Sequence, residues 1–204
     1  MLRLMAVVLC LPWMDETHLP LGKGAKWTYG TDYDPETDII HEVTGTEKVG
    51  DVECFVVEHR SEFNVGKPDE RIRILRKEWL ARGEGGVRIH QVQRGSSVME
   101  VPVPFFKLKE PLKKGDEWKG EAKASTNSPT YHVVVEDRED VEVPAGKYKA
   151  WKLMFKIESG TRHRAEGFEW YAPGVGIVKI DMTISASGET FPLVSELKKY
   201  QPGK

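Results

Sequence analysis

The sequence predicts an all-β protein, an antiparallel curved sheet or barrel built from two tandem β units related by a pseudo-two-fold axis. Three observations carry this. Runs of β-branched and aromatic residues are cut by Gly- or Pro-containing turns roughly every 8–12 residues. Two separated motifs recur at one common spacing. No window of a dozen residues carries a helical period strong enough to compete.

The repeat is read directly. Pro20-Leu-Gly-Lys-Gly-Ala-Lys-Trp27 matches Pro111-Leu-Lys-Lys-Gly-Asp-Glu-Trp118, and Glu78-Trp-Leu-Ala-Arg-Gly-Glu-Gly-Gly-Val87 matches Glu169-Trp-Tyr-Ala-Pro-Gly-Val-Gly-Ile-Val178. The spacing is 91 residues in both cases. Unrelated stretches of ordinary composition agree at about one position in fifteen, far below what these motifs show. Between them, Val49-Gly-Asp-Val-Glu-Cys-Phe55 lies over Ala145-Gly-Lys-Tyr-Lys-Ala-Trp151 at a spacing of 96, the kind of slip that hairpin turns absorb. The copies run over about 20–94 and 111–184, with a C-terminal strand after them, and residues 15–204 read as one domain.

In the first copy, residues 39–48 form a strand, Val49-Gly50-Asp51 a turn, and residues 53–60 the returning strand. Arg71-Ile-Arg-Ile74 alternates, which predicts Ile72 and Ile74 inward and the arginines outward. Keeping Leu75 and Trp79 inside as well requires a bulge near Leu75. Glycines at 83, 85 and 86 turn the chain into a strand over 87–93, and the apolar stretch 100–107 is expected to pack. In the second copy, strands beginning at Tyr131, Tyr148, Arg162, Ile177 and Phe191 are separated by turns at 144–146, 159–160, 173–176 and 187–188. Large aromatics occupy matched positions, Trp27 with Trp118, Trp79 with Trp170 and Phe55 with Trp151, and are expected to meet in a shared core.

Residues 1–14 place Arg3 before the apolar run Leu4–Leu11, too short to span a bilayer. The pattern fits an export signal or a first strand. A lipoprotein anchor at Cys10 is disfavoured by the bulky Leu9 before it. The export reading implies a periplasmic or envelope location. Cys54, the other cysteine, reads as a small buried hydrophobe, so neither a disulfide framework nor a four-cysteine metal site is available.

Val141-Glu-Val-Pro-Ala-Gly-Lys-Tyr-Lys-Ala150 followed by Trp170-Tyr-Ala-Pro-Gly-Val-Gly-Ile-Val-Lys179 resembles a signature of uncharacterised bacterial exported β-rich proteins. Those are broadly similar to lipoprotein carriers of the LolA and LolB type. The resemblance covers the C-terminal third and implies a curved sheet and export. It brings no functional residue with it.

Acidic and basic residues nearly cancel, at a formal net charge of -2, which argues against nucleic acid and against an anionic membrane surface. The six histidines form no HxH or HExxH pattern, although separate strands can bring histidines together. Asp32, Asp34, Glu36 and Asp38 have alternating oxygen spacing but lack the Gly and terminal Glu of a calcium loop, and read as a charged hairpin tip. Glu136–Asp140 reads as a solvated hairpin. No nucleophile elbow or phosphate loop occurs, so neither an enzyme nor a cofactor is predicted. Binding of a lipid or other apolar small molecule is the leading expectation, with Phe55, Trp79, Trp151 and Trp170 as its lining. A structural or protein-interaction module of the cell envelope is the alternative.

Overall fold

The computed structural model describes residues 17–32, 34–64, 67, 70–123, 128–160 and 163–204. The segment 1–14 and Cys10 lie outside the described residues. The first half of the chain contributes β1 (Lys26–Thr31), β2 (Thr37–Val49), β3 (Val52–Phe63), β4 (Arg71–Gly83), β5 (Gly86–Arg94) and β6 (Ser97–Lys109). The second contributes β7 (Glu117–Glu121), β8 (Thr130–Val143), β9 (Gly146–Ser159), β10 (His163–Ala172), β11 (Gly176–Ala186) and β12 (Glu189–Gln201). Among the described residues no helix is long and apolar enough to cross a membrane.

All twelve strands join one antiparallel sheet in the order β6-β5-β4-β3-β2-β1-β12-β11-β10-β9-β8-β7. Each half is an up-and-down meander, and β1 pairs along its whole length with β12 to weld the two. Among the described residues, the opposite edges of the sheet are bridged by Glu100 of β6 and Lys123, just beyond β7, which exchange backbone hydrogen bonds of 3.0 and 2.7 Å. The result is a nearly closed barrel. Closure hides strand edges that would otherwise template association. The seam stays partial because β6 leaves its ladder with β5 between Glu100 and Phe105, where Pro102 and Pro104 cannot donate.

Irregularities recur at corresponding ladder positions. β2 shifts register against β3 between Val43 and Gly45, and β8 against β9 between Val135 and Asp137. β4 shifts against β5 between Trp79 and Leu80, and β10 against β11 between Trp170 and Tyr171. Gly24 donates to the Val43 carbonyl at 2.8 Å and Gly115 to that of Val135 at 2.9 Å. The ladders also correct one detail of the sequence match. Arg88 stands opposite Ala81 and Gly176 opposite Ala172, so Gly176 corresponds to Arg88 and not to Gly85. The first hairpin simply runs two residues further, to Gly83 and Gly86.

A bulge does lie at Leu75, the unpaired residue between Arg76 opposite His59 and Ile74 opposite Arg60. Its effect on the neighbouring residues is the reverse of that predicted. It moves Ile74 and Ile72 to the outer face beside Arg60 and Glu62, where they are 49% and 56% exposed. Glu136–Asp140 is solvent-exposed on the β8–β9 hairpin, but in mid-strand, with residues 137–140 paired to β9, not in its turn. Trp27, Trp118 and Trp170 join the main core, whereas Trp79 packs in a separate small cluster with Cys54 and Val56.

Candidate functional site

The strands share one polarity of ends. Turns β2–β3, β4–β5, β8–β9 and β10–β11 lie at one end of the barrel, and turns β3–β4, β5–β6, β9–β10 and β11–β12 at the other. The first end is filled. Leu19 and Leu21, from the segment before β1, pack into the core there with Trp27. That segment is tied down by Arg82, which donates to the Leu19 carbonyl and to Glu110, both at 2.6 Å, and by Gly174, which donates to the Thr17 carbonyl at 2.8 Å.

Above this floor the barrel encloses a cavity of about 470 Å³, within the size of ligand pockets. Its lower part is apolar, with Leu80, Ile89 and Ile177 beside Tyr29 and Tyr171. Tyr29 Oη donates to the Ile177 carbonyl at 2.9 Å, and Tyr171 Oη to Glu169 at 2.6 Å. Burial, followed by the neighbouring Glu169 charge, pushes both phenols well above their ordinary range, so they stay neutral donors.

The walls differ. On the first-half wall, inward positions of β2 to β6 carry His41, His59, Arg76, Glu78, Arg94 and Lys107. The rings of His41 and His59 meet edge to face at 4.0 Å. Glu78, 4% exposed, lies 3.3 Å from His59 Nε2 and 3.3 Å from Arg76 Nε. Burial raises the Glu78 carboxyl, but Arg76, Lys107 and His59 outweigh it and hold the group well below the usual carboxylate range. Burial, with Arg76 adding to it, lowers His59 to about 4. Burial and the charge of His59 likewise hold His41 well below its ordinary value. Both imidazoles are therefore neutral near pH 7, and the formal charge of the cluster is three cations against one carboxylate.

On the second-half wall the corresponding ladder positions are apolar. Val133 stands for His41, Phe155 for His59, Gly167 for Arg76 and Met182 for Arg94. Only Glu78 keeps its acid, as Glu169. The second half also lines the cavity with Glu169, His132 and Lys156, the last two paired with Glu117 at 3.2 Å and Glu158 at 2.7 Å, so one side of the cavity carries a polar cluster and the other is mainly apolar.

The four residues expected to line a ligand site do not line this cavity. Trp79 and Trp170 point to the opposite face of their strands from their lining neighbours Glu78, Leu80, Glu169 and Tyr171. There their indoles donate to Glu47 at 2.8 Å and Glu139 at 2.6 Å. Phe55 and Trp151 share the inward phase of Val57 and Leu153 but sit nearer the filled end, packed on the core below. The acidic alternation at 32–38 is spent locally. Asp34 accepts from Glu36 N and Thr37 Oγ1, Asp32 from Val194 N, and Asp38 pairs with Lys198 at 2.7 Å. Among the described residues no three His, Cys, Asp or Glu side chains group as metal ligands.

Residues 118–182 are similar to the DUF3108-like family. The DUF3108-like segment runs from Trp118 in β7 to Met182 in β11, and so takes in much of the apolar wall. All six polar wall residues lie before it. Two crystal structures are similar over most of the chain. One is of a protein described as a candidate lipoprotein from Parabacteroides distasonis ATCC 8503, at TM-score 0.49 and 12% identity, covering 91% of this chain and 99% of that one. The other is of a protein described as a candidate exported protein with a YmcC-like fold from Bacteroides fragilis NCTC 9343, at TM-score 0.47 and 14% identity, covering 90% and 98%. No curated protein matches the chain.

Sequence reasoning missed the polar wall. Its members are drawn from five strands spread between residues 41 and 107, and their inward phase depends on bulges at Leu75 and His90 that no local pattern locates. The one available signal was Arg76-Lys-Glu78, where two charges share a phase with Leu80.

Proposed function

We propose that this chain is an extracytoplasmic binding protein whose barrel holds an apolar or amphipathic small molecule. The observation that carries the reading is the cavity of about 470 Å³ above a filled floor, lined mainly by aliphatic and aromatic side chains. Cavities of that size and lining take ligands rather than bulk water, because apolar walls offer water few hydrogen bonds. The recurring bulges and matched strand order support reading residues 15–204 as one domain made of two copies, with the ligand between them. The apolar run after Arg3 supports export. The likeness of the 141–150 and 170–179 motifs to exported β-rich proteins of the LolA and LolB type suits a carrier of acyl chains.

Unfolding the purified chain in urea, washing away lipid and refolding it gives empty protein for titration with N-phenyl-1-naphthylamine. Saturable one-to-one enhancement of the dye, lost in Ala165→Phe where the added ring fills the cavity, is the expected result. A refolded protein that leaves the dye dark, and that carries no lipid in native mass spectrometry before unfolding, defeats the reading and favours a role in protein contacts.

A further inference from the structure

The polar wall asks for a particular kind of occupant. Arg76, Arg94 and Lys107 face the cavity with Glu78 as the one carboxylate among the six polar residues of their wall, and that carboxylate is already shared between His59 and Arg76. Hydrogen-bonding capacity remains unspent. No described residue accepts from Arg76 Nε or pairs with His59 Nδ1 in hydrogen-bond geometry, although both atoms are buried and His59 is 6% exposed. Buried donors and uncompensated cations are costly when left so. A repeated fold offers an internal control. The second half builds the same strands with Val133, Phe155, Gly167 and Met182 at the positions of His41, His59, Arg76 and Arg94, so the scaffold does not need the polar set.

We propose that the cavity takes a single-chain amphiphile with an anionic headgroup, a carboxylate or a phosphate monoester, seated between Arg76, Arg94 and Lys107 with its apolar chain along the β8–β11 wall. This rests on the cavity holding an apolar chain and adds the charge of the other end. Arginine and lysine serve such a group in different ways, the guanidinium through paired N–H donors and the ammonium as a point charge. Arg94 is exposed and Arg76 partly so, which places the headgroup toward the mouth and the chain toward Leu80 and Ile177.

The test is displacement of N-phenyl-1-naphthylamine from refolded full-length protein by hexadecanoate, hexadecyl phosphate, hexadecanol and hexadecyltrimethylammonium. The expected result is displacement by an anion at a concentration at least about tenfold lower than by hexadecanol, with the cationic amphiphile weakest. The tighter of the two anions identifies the headgroup. In Arg94→Gln/Lys107→Gln, checked for native circular dichroism, the anion and alcohol should come within about twofold while hexadecanol is unchanged. A second measurement needs no variant: raising salt from 0.05 to 0.5 M should weaken the anions and leave hexadecanol unaffected. Equal displacement by anion and alcohol, or a preference that survives both the substitutions and the salt, overturns the headgroup assignment while leaving the apolar cavity standing. Failure of the dye itself to bind removes both.

Discussion

Glu78 Oε2 lies 3.3 Å from Nε2 of His59 across the β3–β4 pairing, inside the barrel and next to the guanidinium of Arg76. A carboxylate so placed neutralises part of a positive wall. Removing it leaves charge behind, and removing one partner of a buried pair costs more than the pair itself contributes. Glu78→Gln should therefore lower unfolding free energy by about 3 kcal/mol in a urea titration. The paired change Glu78→Gln/Arg76→Gln should recover part of that loss. A double variant no more stable than the single one would show that the two charges are not coupled.

Acid should destabilise the protein over a defined range. His59 titrates near 4 in the folded chain against 6.5 when free, so the unfolded state binds its proton first as pH falls. Stability is complete above about pH 6.5, declines from there to about 4, and the difference is worth about 3 kcal/mol. Burial comes first among the causes, with Arg76 and Lys107 disfavouring the imidazolium and Glu78 opposing them. His41 and Glu78 shift in directions that act with the same sign. Urea midpoints measured between pH 7 and 4.5 should fall, and fall less steeply in His59→Phe, which installs the residue found at the matching position 155. Parallel slopes for the two proteins would refute the assignment to His59.

On the outer face, Glu139 accepts the Trp170 indole hydrogen bond at 2.6 Å, as Glu47 accepts that of Trp79 at 2.8 Å. Hydrogen bonds to charged partners contribute about 1.5–3 kcal/mol. Glu139→Leu should cost roughly that much, and Glu139→Gln, which keeps an acceptor oxygen, less than half of it. The change in indole emission between variant and parent protein reports whether the Trp170 ring stays buried. Equal losses from Leu and Gln would mean that the contact is packing alone.

Gly167 permits a close approach of strands. A Cβ there would stand 2.1 Å from the Asp181 carbonyl oxygen and 2.6 Å from Met182 Cα, so Gly167→Ala must force β10 and β11 apart. The expected loss is above about 2 kcal/mol. Gly45 is the control, because an added Cβ meets nothing within 4 Å, and Gly45→Ala should be neutral or stabilise by about 0.5 kcal/mol. Thermal melts of the two variants separate the cases, and a mild effect at Gly167 would mean that the sheet yields there.

Hairpins and turns were legible because their signals are local. The Val49-Gly50-Asp51 turn falls between β2 and β3, and Pro144-Ala-Gly146 between β8 and β9, where glycine supplies the backbone angles that a tight reversal needs. Facing was legible only where strands run without interruption. Ile72 and Ile74 fit an inward alternation until Leu75 adds one residue, and that addition exchanges the two faces. The same sensitivity misplaced Trp79 and Trp170. Their size and repetition suggested a central role, yet each lies one residue out of phase with the cavity.

From the chain alone come the β class, the turn positions and the duplicated motifs, since each depends on residues within a few positions of one another or on a direct comparison of strings. Tertiary structure decided the near-closure at Glu100 and Lys123, the division into a polar and an apolar wall, and the identity of the residues that face the cavity. The physical reason is that a side chain in a sheet takes its face from register. Register is set by bulges and by partners up to a hundred or more residues away, as when Trp27 pairs with Tyr200.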